Sequence, residues 1–152
     1  MSNDLPAGFV ILFPLLFPLV FVGMWMGVCS LLALLARHPR AIEQFPPGED
    51  TVEQAFTFAS GRGPGMVRFN GALYVGIGRK GLHIAPNGLF RPPWWWGVPC
   101  VPWRDVQVEG EEVSFGRRGV RFSIPAIGAR WFIVGKAGEA ILARKRAADR
   151  EG

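Results

Sequence analysis

The sequence predicts a mainly β protein: one N-terminal membrane-spanning helix, then a small antiparallel barrel or sandwich of about seven strands, then one C-terminal α-helix. Three observations carry this. No charged residue occurs between Asp4 and Arg37, and the run between them is almost wholly Leu, Val, Phe, Ile, Ala and Met. From Phe56 onward apolar and polar residues alternate, with glycine-containing turns between the runs. Lys136 to Arg150 is rich in Ala, Glu, Lys and Arg, which favour helix.

An apolar run of this length reads as a span because hydrocarbon cannot hydrogen-bond a charge or an open backbone. As one straight helix, Leu5 to Ala36 would reach about 48 Å, well beyond a hydrocarbon core of about 30 Å. Pro14 and Pro18 each remove a backbone donor, so a kink or a late start is expected there. The helix core is placed at about residues 17–36, with Phe9 to Leu16 at the outer interface or in a kinked first turn. No Lys or Arg precedes the span, whereas Arg37, His38 and Arg40 follow it. The positive-inside bias then puts the N-terminus outside and everything after residue 37 in the cytoplasm, in an inner (plasma) membrane. A cleaved signal peptide would need a basic start and a shorter apolar core. Gly23 and Gly27 have the small-xxx-small spacing of close helix pairs, readable as a homodimer face or as coincidence.

All 17 Lys and Arg follow the span, against all but one of the 12 Asp and Glu, so this part is basic. Its length allows one modest core. The expected division is 1–36 for tail and span, 37–52 for a linker and 53–150 for the β domain. The linker reading rests on Pro39, Pro46, Pro47 and Gly48. Cys29 in the span and Cys100 in the domain are not disulfide partners, as suits a cytoplasmic domain. Val106 and Val108, Val113 and Phe115, then Val120, Phe122 and Ile124 alternate as half-buried strands do. Asn70-Gly71, between Met66–Phe69 and Ala72–Val75, is a hairpin signal. Asn87-Gly88 and the glycines at 110, 116 and 119 supply further turns, and the strands end near Val134.

Gly81-Leu82-His83-Ile84, Leu89-Phe90-Arg91 and Val101-Pro102-Trp103-Arg104-Asp105-Val106, with the strand series and terminal helix, resemble a bacterial pleckstrin-homology-like (GRAM-like) domain over roughly residues 53–146. The insertion Pro92 to Pro99 departs from that pattern. The resemblance implies a binding or scaffolding module, often at membranes, and identifies neither ligand nor functional residue.

Gly76-Ile77-Gly78-Arg79-Lys80-Gly81 matches G-x-G-x-x-G, but a dinucleotide site needs a helix after it. Leu82 to Pro86 is a strand instead, so these glycines are expected to form a tight turn with Arg79 and Lys80 at its tip. Trp94-Trp95-Trp96 cannot all enter one small core. Indoles favour the membrane interface, so a loop dipping into the inner leaflet, with Arg91 at lipid phosphate, fits as well as a lid over the barrel's open end. Trp103 is placed in the core. Arg144, Lys145 and Arg146 make the last helix basic, and each charge near anionic lipid head groups contributes about 1 kcal/mol of attraction. No nucleic-acid partner is expected, since basic charge alone gives only non-specific affinity.

Catalysis finds little footing: Ser114 and Ser123 lack an adjacent base, and His83 with Cys100 makes at most two metal ligands where three or four are needed. No enzyme, cofactor or metal is expected. The leading reading is a single-pass, non-catalytic module presenting its basic domain at the lipid surface. The rival reading is a protein-interaction subunit docking an unidentified partner through a barrel edge or the basic helix.

Overall fold

A computed structural model describes residues 6–152; Asp4 and Leu5, at the start of the expected uncharged run, lie outside the described residues. Helix α1 (Ala7–Leu35) has 29 residues, about 43 Å of rise. It is the one helix among the described residues long and apolar enough to cross a membrane, with mean hydropathy 2.4. Of the two expectations for Phe9 to Leu16, the continued helix holds and the late start does not, because Pro14 and Pro18 both lie inside the helix. Each proline forfeits a single internal bond, and the helical bonds on either side keep the chain helical through both.

At Arg37 the backbone enters the left-handed region, φ 56°, and turns the chain sharply into a short helix α2 (His38–Gln44). The linker expectation is corrected here too. Pro39 sits in the first turn of α2, where its missing N–H costs nothing. Ala41 and the following Phe45 join the core of the β domain.

Seven antiparallel strands follow: β1 (Val52–Arg62), β2 (Arg68–Gly78), β3 (Gly81–Pro86), β4 (Cys100–Pro102), β5 (Gln107–Ser114), β6 (Arg117–Ile124) and β7 (Ala129–Val134). Their order in one sheet is β4-β3-β2-β1-β7-β6-β5, a meander whose two halves meet where β1 pairs with β7 at Gly61 and Arg62. Helix α3 (Gly135–Glu151) packs back through Ala137, Gly138, Ile141 and Leu142. The core between them is a single cluster that includes Leu73, Val75, Leu82, Val101, Phe122 and Ile133. Trp103 belongs to it, as expected, and its Nε1 donates to the Gly78 carbonyl at 3.0 Å.

Asn70-Gly71 is not a hairpin turn. Both residues lie within β2, Gly71 with φ 64° at an irregularity where its N–H donates to Ser60 Oγ at 2.7 Å. The reversal from β1 to β2 comes earlier, through Gly63–Val67. Among glycines 110, 116 and 119, only Gly116 makes a turn; Gly110 is a bulge in β5, and Gly119 lies in β6 against the Phe132 ring.

The strand directions give the domain two ends. At the near end, the β1–β2, β3–β4 and β6–β7 connections gather round the α1–α2 corner. Arg37 Nη1 donates to Ile127 O at 3.3 Å, and Pro64 and Gly65 share a hollow with Leu34, Leu35 and Arg40. The β2–β3 turn and the Trp103–Asp105 turn lie at the far end, one strand length away.

Candidate functional site

The near end is assembled from small residues outward. Cys29, Ala33 and Ala36 fall on one face of α1 and are buried, so the last turns of the helix lie close against the domain. Along the same face the Trp25 and Phe90 rings meet at 5.4 Å between centroids, and Cys29 Sγ donates to Leu89 O at 3.9 Å. The opposite face stays open: Val28, Leu31, Leu34 and Leu35 are exposed, as is everything apolar from Phe9 to Met24. Gly23 and Gly27 are on the open part, with nothing near either Cα.

The β3–β4 connection is held by polar bonds that free its indoles. Asn87 Oδ1 accepts from Leu89 N at 3.2 Å and starts the loop. Arg91 then donates to Pro86 O through Nε and Nη2 and to Trp96 O through Nη1, with its guanidinium 5.5 Å from the Trp96 ring centre. His38 Nε2 donates to Trp95 O at 2.9 Å and ties the loop to α2. Burial lowers the pKa of both His38 and Arg91 from their ordinary values. Trp95 is half-buried between these ties, whereas Trp94, Trp96 and Leu89 are 58%, 59% and 68% exposed. Exposed Met66 lies in the neighbouring β1–β2 connection.

The structure does not bring the seven residues singled out in the sequence together. Arg91 and Trp94–Trp96 share the near end, but Arg91 is engaged by carbonyl groups. Arg144 and Lys145 are at the far end, donating to Arg79 O and Trp103 O, each at 2.9 Å. Arg146 is exposed on the same helix.

A second polar cluster sits toward the far end. His83 and Cys100 are direct cross-strand partners of β3 and β4, and Asp50, just before β1, reaches them. Asp50 Oδ2 accepts from His83 Nε2 at 3.0 Å, Gly81 N at 3.2 Å and Cys100 Sγ at 3.8 Å, while Oδ1 accepts from Lys80 N at 3.0 Å. Burial acts to raise the Asp50 pKa, but the bonds from His83, Lys80 and Gly81 outweigh it and hold the carboxyl below its ordinary value. Burial, then the Asp50 charge, pushes the Cys100 thiol up.

His83 is buried, and the third group, Asp50, comes from the segment read as a linker. One signal for it was present. Gly76 and Gly78 leave one face of β2 bare; a Cβ on Gly78 would overlap the Asp50 carboxylate. Glycines at alternate strand positions mark a close approach, and this, not a nucleotide, accounts for the glycine-rich run. Arg79 and Lys80 are exposed at its tip as expected. No family model, no curated protein and no solved structure matches this chain.

Proposed function

We propose that the chain is a single-pass membrane protein that holds a PH-like, non-catalytic binding or scaffold domain directly against the lipid surface, with the N-terminus outside and the domain in the cytoplasm. The observation that carries this is continuity of apolar surface. The exposed apolar stretch of α1 runs down to Trp25, whose ring meets Phe90 in the connection that carries exposed Leu89, Trp94 and Trp96. Exposed indoles beside a helix end suit the interface, where the ring is shielded and the N–H stays wet. Arg40, exposed just past the span, supports the assigned orientation. The meander order and the C-terminal helix support the PH-like reading.

Quenching by brominated lipid tests it on the full chain in vesicles. Replacing Trp94 and Trp96 by Phe removes most of the quenchable emission beyond that of Trp25. A fractional quenching that rises on replacement means that the two indoles face water, and the lipid reading fails.

One observation favours the partner reading. Phe115, at the tip of the β5–β6 hairpin, is 80% exposed, with Arg68 4.5 Å above its ring, next to exposed Val113 on the free edge strand β5. A photo-crosslinker at position 115 that traps one protein stoichiometrically would move the assignment to an interaction subunit.

A further inference from the structure

The structure assigns a second site, independent of the membrane reading: we propose that Asp50, His83 and Cys100 bind one zinc-class transition-metal ion, with a fourth coordination position open. All three ligand atoms lie within 4.8 Å of one another. A tetrahedral zinc centre with ordinary Zn–N, Zn–O and Zn–S bonds has ligand–ligand edges of about 3.4–3.6 Å. The observed edges of 3.0 Å from His83 Nε2 to Asp50 Oδ2 and 3.8 Å from Cys100 Sγ to Asp50 Oδ2 bracket that range. On these two edges an entering ion needs adjustments of a few tenths of an ångström, and the third edge, His83 Nε2 to Cys100 Sγ, lies within 4.8 Å.

Four features point to a ligand set and not merely a strut. The His83–Cys100 pairing in adjacent strands puts an imidazole and a thiol, both transition-metal ligands, side by side on a rigid frame. The third ligand is held by backbone: Lys80 N and Gly81 N fix the Asp50 carboxylate, as outer partners do for metal ligands, leaving Oδ2 aimed at both other groups. Gly78 clears the space beneath the carboxylate. A thiol adds little as a structural donor here, since S–H is weak and the contact is long. As a metal ligand it is among the strongest.

Charge balances as well. An aspartate and a thiolate neutralise a divalent ion: the Sγ proton is released, and the Nε2 hydrogen of the neutral imidazole is exchanged for one on Nδ1, so His83 binds without charge. The Lys80 ammonium is engaged by the Glu49 carbonyl at 3.1 Å. Asp50 and His83 have almost no exposed side-chain surface, whereas Cys100 is half-buried, so the fourth position opens on its side to water or an incoming donor. Three protein ligands with one open position is the arrangement of exchangeable, not purely structural, zinc sites.

Cobalt(II) titration of the full chain, purified in detergent and stripped with a chelator, is the test. Wild type should bind one Co2+ per chain, with the sulfur-to-cobalt charge-transfer band and intense visible bands of a four-coordinate site, both bleached by Zn2+. Cys100→Ser should lose the charge-transfer band, Cys29→Ser should keep it, and His83→Asn should lose the visible intensity. Zinc should raise the melting temperature of wild type and of Cys29→Ser alone. No band in wild type with an intact circular-dichroism spectrum overturns the proposal. So does a band that survives Cys100→Ser, or zinc stabilisation equal in all four proteins.

Discussion

His38 shows how one side chain changes role between sequence and structure. Beside Arg37 and Arg40 it reads as part of a basic flank, yet it is 2% exposed, with Nε2 donating to Trp95 O. Its Nδ1 is buried without a partner, so the tautomer bearing hydrogen on Nε2 fits, and a second proton would bury a donor with no acceptor. Burial accordingly lowers its pKa from the ordinary 6.5, with help from the Arg91 charge and against the Trp95 carbonyl. A depressed histidine contributes stability that is present above its unfolded value and is lost as pH falls through the folded one. The melting temperature of the full chain should therefore drop as pH falls below about 6.5, the ordinary histidine value. His38→Gln should flatten that slope; an unchanged slope assigns the pH dependence elsewhere. Asp50 was as illegible as His38, because the second acid of Pro-Pro-Gly-Glu-Asp carries no mark of its partners. Trp103 was legible because Trp between strand residues has few places to go but inward.

At the scale of elements, patterns that repeat were readable and single events were not. Helix α1 and helix α3 follow from composition over many residues, and β5 and β6 from alternation. Helix α2 hid behind Pro39, and the β1–β2 reversal hid behind the Asn70-Gly71 dipeptide, whose positive φ is used inside a strand. The β3–β4 connection was the hardest, since its shape depends on Arg91 closing it from within. Losing the bonds to Pro86 O and Trp96 O should cost about 1.5–3 kcal/mol. Arg91→Ala should lower the melting point and speed amide exchange at Trp94–Gly97. Arg91→Lys should not restore protection, because an ammonium cannot span both carbonyls with a planar fork. Protection recovered by Lys would show that charge alone holds the loop.

For the whole molecule, the junction is part of the fold and not a tether. Ala41 and Phe45 lie in the core that the strands share, so the α1–α2 corner and the sheet form one packed unit. Phe45→Ala in the full chain should cost about 3 kcal/mol. A fragment beginning at Arg37 should melt well above one beginning at Pro46, by circular dichroism; coincident melting curves would return residues 37–45 to linker status. Local patterns could not foresee this, because besides α1 the segments that cover α2 are the β3–β4 and β6–β7 connections, distant in sequence. The Trp25–Phe90 contact carries a mechanical consequence. Only Gly8 to Met24 of α1 is free on all sides, about 26 Å of rise against a hydrocarbon core of about 30 Å. In the proposed membrane arrangement the domain is a collar, and the helix cannot slide deeper to lengthen its buried stretch. The surrounding leaflet must thin toward the collar, so the protein should partition toward thinner membranes and toward neighbours that deform the bilayer in the same sense.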